Sequence, residues 1–370
     1  MRDDRDAGGV DVGAHRAQRI RAVSEHRRTG PGPRPPIGSE VGRRPSDRSS
    51  TEALLSDIQS GARADRPVVA VLMATYDGAA FVEEQLRTIL DQDGVDVRVV
   101  VSDDGSTDGT LGVVEAMDDP RIVVLPPLRS GSASANFLRL VRDADVAGAT
   151  AVAFADQDDR WHRDRLARQL ALIARHDVDA VSSSVTAFWT RADGSERTDY
   201  VGKSDPQTQL DFLLESAGPG CTFVLTAAAF TMVREVVRSH PLVDARVPHD
   251  WTVYAIARAT GRRWRIDPEP TLDYRQHGGN VTGANRGLGA VLTRVRRLAN
   301  GDYRSQCAAV ARLAASLAQP PLQQRLERVA PLFERSDRGS RAALRRLAPE
   351  LRREPSERRL LSIALALGLW

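Results

Sequence analysis

The chain has 370 residues, of which 41% are hydrophobic and 27% are charged, and its formal net charge is +3 at pH 7. That length and apolar content suffice for a sizeable globular core, while an aromatic content of only 5% argues against nucleic acid as a partner. The sequence has two cysteines, no apolar signal segment and no apolar run long enough to span a bilayer. We therefore expect a cytoplasmic protein without a structural disulfide.

Residues 1–66 are predicted to form a disordered arm outside the folded core. They are rich in Arg, Asp, Gly, Pro and Ser, and few periodic apolar positions occur before Leu54 and Leu55. Such a composition buries too little apolar surface to offset the entropy of ordering the chain. The folded part is therefore expected to begin at about residue 67.

Two strands that end in polar loops are predicted at the start of the folded part. Residues 68–74 form an apolar run typical of a buried strand, the valine-rich residues 97–102 predict a second strand, and a helical pattern follows each of them. In an open α/β sheet, ligands bind beyond the carboxyl ends of the strands, so the two loops should converge on one site. The polar residues concerned are Thr75, Tyr76, Asp77 and Gly78 after the first strand, and Asp103 and Asp104 after the second.

A third apolar run, residues 151–155, leads directly into Asp156, Asp158 and Asp159. Three carboxylates at one strand exit repel each other, and a hard divalent cation such as Mg²⁺ or Mn²⁺ would relieve that repulsion. These ions normally keep open positions for substrate phosphates, which favours a substrate that carries a diphosphate. Taken alone, the same residues could be a polar loop that caps the next helix.

Residues 129–136 precede another predicted helix, whose first amides can hold a base or a phosphate near Asn136. This segment lacks the G-x-G-x-x-G spacing of a dinucleotide fingerprint. The chain also has no P-loop, G-x-S-x-G, H-E-x-x-H or C-x-x-C motif. These absences weaken phosphotransferase, esterase, zinc-protease and redox interpretations.

Five segments, taken in order, resemble the motifs of family 2 inverting glycosyltransferases with the GT-A fold, in the rhamnosyltransferase-like branch. They lie at residues 74–78, 101–108, 154–161, 248–251 and 274–281. The resemblance covers about residues 67–285, with one departure, because Asp77 stands where such enzymes usually carry Asn. It implies an α/β fold with a GT-A-like, Rossmann-type mixed sheet flanked by helices.

The resemblance also implies roles for individual residues. Asp250 matches the general base, although without the other motifs it would be an ordinary first-turn residue of a helix. Asp156, Asp158 and His277 match the groups that hold the metal and lie near the diphosphate. The predicted nucleotide-binding residues are Thr75, Tyr76, Asp77, Asp103, Asp104, Asn136 and Asp156. Asn136 is included because of the predicted helix start described above, and the others because of the resemblance.

Residues 286–370 are predicted to form a basic helical extension. Paired arginines recur in it, and an apolar run over residues 360–370 ends in Trp370. That run has about half the length needed to span a bilayer. It fits either an interfacial anchor on an anionic membrane or a helix that packs on the catalytic domain or on a second subunit.

The sequence thus predicts a metal-dependent inverting glycosyltransferase, as a monomer or a homo-oligomer. The expected donor is a dTDP- or UDP-linked sugar, with dTDP-rhamnose favoured by the resemblance, and the expected acceptor is a glycan or lipid-linked saccharide at the inner face of the cell membrane. One alternative is a nucleotidyltransferase, which should show a Gly- and Arg/Lys-rich triphosphate loop that residues 75–78 do not provide. The other is a catalytically silent glycan-binding or scaffold module, which would not need Asp158 and Asp250.

Overall fold

The computed structural model describes residues 66–277 and 301–370. The predicted arm, apart from its last residue, and the predicted boundary at residue 285 lie outside the described residues. So does the end of the fifth motif, residues 278–281. The limits of the three predicted domains therefore stay predictions.

Within residues 66–277, seven strands form one central sheet. They are β1 (Val68–Thr75), β2 (Asp96–Asp103), β3 (Ile122–Val124), β4 (Ala151–Ala155), β6 (Ala180–Ser183), β9 (Val224–Thr226) and β10 (Trp264–Asp267). Their order is β10-β6-β9-β4-β1-β2-β3. Strand β9 runs antiparallel to both of its neighbours, and the other pairs are parallel. The predicted mixed α/β sheet is confirmed.

Four further strands form a second, smaller sheet. It consists of β5 (Arg160–Trp161), β7 (Val185–Thr190), β8 (Glu196–Val201) and β11 (Leu272–Arg275), in the order β5-β11-β7-β8. Strand β5 begins directly after the acidic loop, and β11 ends two residues before His277. The pairing of these two strands therefore brings distant motifs together.

Helices cover both faces of the central sheet. Successive side chains of β1 point to opposite faces, and each set is buried in its own core. Val69, Val71 and Met73 share one core with Leu86 and Ile89 of the first helix. Ala70 and Leu72 share another core with residues such as Phe137. The helices of this part are α1 (Val82–Leu90), α2 (Thr110–Ala116), α3 (Ala133–Asp143), α4 (Arg165–His176), α5 (Ala227–Ser239) and α6 (His249–Ala259). Two 3₁₀ turns, Asp211–Leu213 and Gly220–Thr222, complete it.

The described part of the C-terminal extension is helical, as predicted. It forms α7 (Asp302–Leu317), α8 (Leu322–Glu334), α9 (Arg338–Leu351) and α10 (Pro355–Leu367). Trp370 is only 7% exposed, and its ring centroid lies 5.9 Å from that of Tyr303. Trp370 therefore packs into the protein's own core. None of the described helices is long and apolar enough to cross a membrane.

Candidate active site

The polar loops after β1 and β2 are tied to each other. The hydroxyl of Thr75 donates to Oδ1 of Asp103 at 2.8 Å, and the backbone N–H of Asp104 donates to the carbonyl of Thr75 at 2.9 Å. The carboxylate of Asp77 accepts from the backbone N–H of Thr107 at 2.8 Å. The structure therefore brings together the acidic and hydroxyl side chains that the sequence predicted to converge.

Asp77 lies in a left-handed turn, with a φ of 43°. Asn and Asp adopt this conformation more readily than other residues with a side chain. The replacement of the usual Asn by Asp therefore keeps the shape of the turn.

Gln157 joins the first loop to the acidic loop. Its Nε2 donates to the carbonyl of Tyr76, and its Oε1 accepts from the N–H of the same residue, both at 2.9 Å. A Cβ at position 78 would lie 2.1 Å from this Oε1, so Gly78 is needed there. The side chain of Tyr76 itself is 50% exposed and presents an aromatic face to solvent.

Asp104 and Asn136 are both buried and held within the protein. The carboxylate of Asp104 accepts from the backbone N–H groups of Ser130 and Gly131. The side-chain amide of Asn136 donates to the carbonyl of Ser102 at 2.8 Å and accepts from the hydroxyl of the same residue at 2.5 Å. Asn136 thus fixes the end of β2 against α3, and its predicted contact with the nucleotide stays a prediction.

The carboxylates at the end of β4 are strongly perturbed. Burial, together with repulsion from Asp158, raises the pKa of Asp156 to about 7. Burial and repulsion from Asp156 raise the pKa of Asp159 well above its usual value. Oδ1 of Asp159 accepts from the backbone N–H of Arg275 at 3.2 Å, whereas its buried Oδ2 has no hydrogen-bond partner among the described residues. The raised pKa values mean that the ionised carboxylates are disfavoured here without a counter-charge, and a bound cation would stabilise them.

Asp158 lies beside His277. Oδ2 of Asp158 is 2.7 Å from Nε2 of His277, and both side chains are partly exposed. The imidazole stacks on Phe81 with a centroid distance of 4.9 Å, which fixes its plane. The two predicted metal ligands from motifs more than a hundred residues apart are thus adjacent.

The donors present fit a hard divalent cation. Carboxylate oxygens of Asp156 and Asp158 and the imidazole of His277 are ligand types that Mg²⁺ or Mn²⁺ accepts. The sulfur of Cys221 lies within 4.8 Å of oxygens of Asp156 and Asp159. Burial, however, raises the pKa of the Cys221 thiol well above its usual value, and a neutral thiol is a poor ligand. The oxygen and nitrogen donors are therefore the candidate metal ligands.

A buried cation lies behind this cluster. The side chain of Arg165 is fully buried, its guanidinium donates to the carbonyl of Cys221, and its Cζ lies 3.5 Å from the ring centroid of Trp161. Burial lowers its pKa to about 9, while Asp159 and Asp156 favour its charged form. Arg165 therefore stays cationic at neutral pH and offsets part of the negative charge at the end of β4.

Asp250 lies in the first turn of α6. Its Oδ1 accepts from the backbone N–H of Trp251 at 2.7 Å. Burial raises its pKa to about 6, while the hydroxyl of Ser216 and the ammonium of Lys203 favour the ionised form. Repulsion from Asp250 also contributes to the raised pKa of Asp156, so the two carboxylates share one site.

His249, next to Asp250, is a packed neutral imidazole. Its ring stacks on Phe137 of α3 with a centroid distance of 3.8 Å, and burial lowers its pKa to about 3. A Cβ at Gly220 would lie 2.5 Å from its Nε2. Helix α3 thus contacts His249, the neighbour of Asp250, through Phe137. It contacts the end of β2 through Asn136.

The structure brings all the predicted site residues to one end of the central sheet. Sequence reasoning missed three residues that hold or tune this site: Gln157, Arg165 and Lys203. The sequence offered a signal for two of them. Gln157 lies between Asp156 and Asp158, and Lys203 is the only lysine among the 52 lysine and arginine residues.

Comparison with known proteins gives three findings. Residues 70–235 match Glycosyl transferase family 2. The chain is 35% identical over 244 residues to the dTDP-rhamnosyl transferase RfbG of Shigella flexneri, covering 65% of this chain and 83% of that protein. It is 30% identical over 164 residues to the putative teichuronic acid biosynthesis glycosyltransferase TuaG of Bacillus subtilis, covering 43% of this chain and 62% of that protein.

Among solved structures, the chain is similar to the mannosyltransferase PcManGT from Pyrobaculum calidifontis in complex with GDP-Man and Mn²⁺. The TM-score is 0.45 and the sequence identity 22%, with 87% of each chain covered.

Proposed function

The chain belongs to glycosyl transferase family 2, and we propose that it transfers a sugar from a nucleotide-diphosphate donor to a hydroxyl of a glycan or lipid-linked saccharide, with inversion at the anomeric carbon. The observation that carries this proposal is the placement of Asp250, a partly buried carboxylate with a raised pKa, within electrostatic range of Asp156. The likeness to a dTDP-rhamnosyl transferase supports dTDP-rhamnose as the donor.

The first two loops would bind the nucleotide. Tyr76 offers an exposed aromatic face on which a base can stack. Oδ2 of Asp104 accepts one bond from Gly131, at 3.0 Å. Because a carboxylate oxygen has two lone pairs, it can accept one more bond, from a base N–H or a ribose hydroxyl. Thr75, Asp77 and Asp103 complete this pocket.

Asp156, Asp158 and His277 would hold Mg²⁺ or Mn²⁺ beside the donor diphosphate. When bound, such an ion neutralises the charge that develops on the departing diphosphate, without an acid catalyst. The chain contributes the fixed ligand positions, because Gln157 anchors the acidic loop and Phe81 orients the imidazole.

Asp250 would act as the general base. Its carboxylate takes the proton of the attacking acceptor hydroxyl while the new bond to the anomeric carbon forms and the bond to the diphosphate oxygen breaks with its electron pair. A pKa of about 6 leaves Asp250 mostly ionised at neutral pH yet more basic than an ordinary carboxylate. Both properties favour proton transfer in the transition state.

The acceptor would enter along the segment before β9. Ser216 and Lys203 lie close to Asp250, and Gly218 adopts a φ of 131° that strains any other residue. Gly220 leaves room for His249 beside the base. These two glycines keep the backbone near the carboxylate of Asp250, which must reach the acceptor hydroxyl.

A thermal-shift screen of nucleotide sugars in the presence of Mn²⁺ tests this function. A donor at 100 times its dissociation constant should stabilise the protein by about 2.7 kcal/mol, and removal of the metal should abolish most of that gain. The donor selected in this way should then release nucleoside diphosphate when an acceptor is added. Stabilisation by none of the dTDP-, UDP- and GDP-linked sugars would contradict the proposal.

A further inference from the structure

Helix α9 presents a row of arginines on one face. Arg338, Arg341 and Arg345 follow each other at helical spacing, and Arg346 adjoins the last of them. All four line a cavity of about 520 Å³ between α9 and the end of α10. We call these four residues the arginine face.

The arginine face is not neutralised within the protein. Arg341 donates to the backbone carbonyl of Ser336, but in the described ranges, 66–277 and 301–370, none of the four arginines pairs with a carboxylate. The neighbouring pair behaves differently. Arg352 pairs with Glu215 and Glu357, and Arg353 pairs with Asp211 and Glu215. The tail therefore divides into a buried, paired set of arginines and an unpaired set that faces outward.

The helix that closes this cavity also carries exposed apolar side chains. Ala366 of α10 lines the cavity, and Ile363 and Leu367, four residues apart on one face of α10, have 56% and 68% of their surface exposed. Leu369, just beyond the helix, is 41% exposed. A short exposed apolar ridge beside a row of unpaired arginines is typical of helices that lie in a membrane interface.

We propose that the arginine face and the ridge of Ile363 and Leu367 bind the surface of an anionic phospholipid bilayer. The arginines contact lipid phosphates, and the ridge enters the boundary between headgroups and acyl chains. Charge complementarity identifies the occupant, since four unpaired guanidinium groups attract a surface of phosphates. The site uses only part of the apolar run that the sequence singled out, because Trp370 is buried in the protein, as is Arg353 of the paired arginines. This inference does not depend on the proposed function.

Co-sedimentation of the full-length protein with vesicles tests the inference. The protein should bind vesicles of phosphatidylglycerol mixed with phosphatidylcholine, and not vesicles of phosphatidylcholine alone. The double substitution Arg345→Glu and Arg346→Glu should weaken binding at least about thirtyfold, since each cation near the surface contributes roughly a factor of five. The charge-preserving variant Arg345→Lys and Arg346→Lys should retain binding.

A matched control changes the net charge equally elsewhere. Arg163 and Arg263 are exposed arginines of the sheet-containing part, and their double substitution by Glu should leave vesicle binding unchanged. Equal vesicle binding by the wild type and the Arg345→Glu, Arg346→Glu variant would overturn the inference, as would equal binding to neutral vesicles. Two further results would also overturn it. One is sedimentation of the free protein as a dimer that this variant dissociates, and the other is tight binding of inorganic diphosphate at this face without vesicle binding.

Discussion

Replacing Asp250 by Asn should separate the role of this residue in catalysis from its role in the fold. The substitution keeps an oxygen that can accept from the N–H of Trp251, so the first turn of α6 should persist. It removes the proton acceptor, and general bases contribute roughly a hundredfold to ten-thousandfold in rate. We therefore expect turnover to fall by about that factor while the affinities for donor and metal stay unchanged.

The same substitution should not destabilise the protein at pH 8. Burial raises the pKa of Asp250 from 3.8 to about 6, so the ionised carboxylate opposes folding. Its contribution to stability is fully present below pH 3.8, is lost as the pH rises through 6, and at higher pH amounts to a cost of at most about 3 kcal/mol. Because Asn never ionises, the melting temperature of the variant at pH 8 should equal or exceed that of the wild type.

Turnover, donor affinity and melting temperature should be measured on one preparation. The kcat/KM of the wild type should rise with pH through an apparent pKa near 6, and the Asn variant should lose this dependence. If Asp250 were only a helix-start residue, its replacement by Asn would leave turnover near normal, because Asn and Asp serve this position equally well. Near-normal turnover in the variant would refute the assignment of Asp250 as the base.

Three further substitutions test other parts of the site. Asp158→Asn should abolish Mn²⁺-dependent binding of nucleoside diphosphate in calorimetry, and an unchanged metal dependence would exclude this residue as a ligand. Asp104→Ala should weaken donor affinity more than it lowers turnover at saturation, because a contact to the nucleotide base is made equally in the ground and transition states. The opposite pattern in steady-state kinetics would be inconsistent with that role. Gly220→Ala should lower the free energy of unfolding in denaturant by about 1–3 kcal/mol and reduce turnover, because the added Cβ would displace the imidazole of His249. An unaffected enzyme would show that this contact does not position Asp250.

The sheet and the convergence of its loops could be predicted because they follow from local patterns. Residues 69–74 alternate between two cores although every one of them is apolar, as expected for a strand covered on both faces. Asp103 and Asp156 follow such strands directly, so the rule that sites form beyond the carboxyl ends was sufficient to place them together.

The supports of the site could not be predicted, because they depend on contacts between distant residues. Gln157 gives no sign in the sequence that both ends of its amide bind Tyr76. Arg165 has the sequence context of an ordinary helix residue, and only the fold places it beneath two carboxylates. Trp370 follows an apolar run after paired arginines, a pattern that fits an interfacial anchor and a packing helix equally well. In the structure, the ring of Trp370 packs against Tyr303.

The anomeric configuration of the product tests the central claim most directly. The donor selected by the thermal-shift screen should be incubated with an acceptor glycoside and Mn²⁺, and the new linkage examined by NMR before the product can equilibrate. Displacement with Asp250 as the base forms the bond on the face opposite the leaving diphosphate, so the product should have the configuration opposite to that of the donor. A product that retains the donor configuration would contradict the single displacement and the role of Asp250 in it.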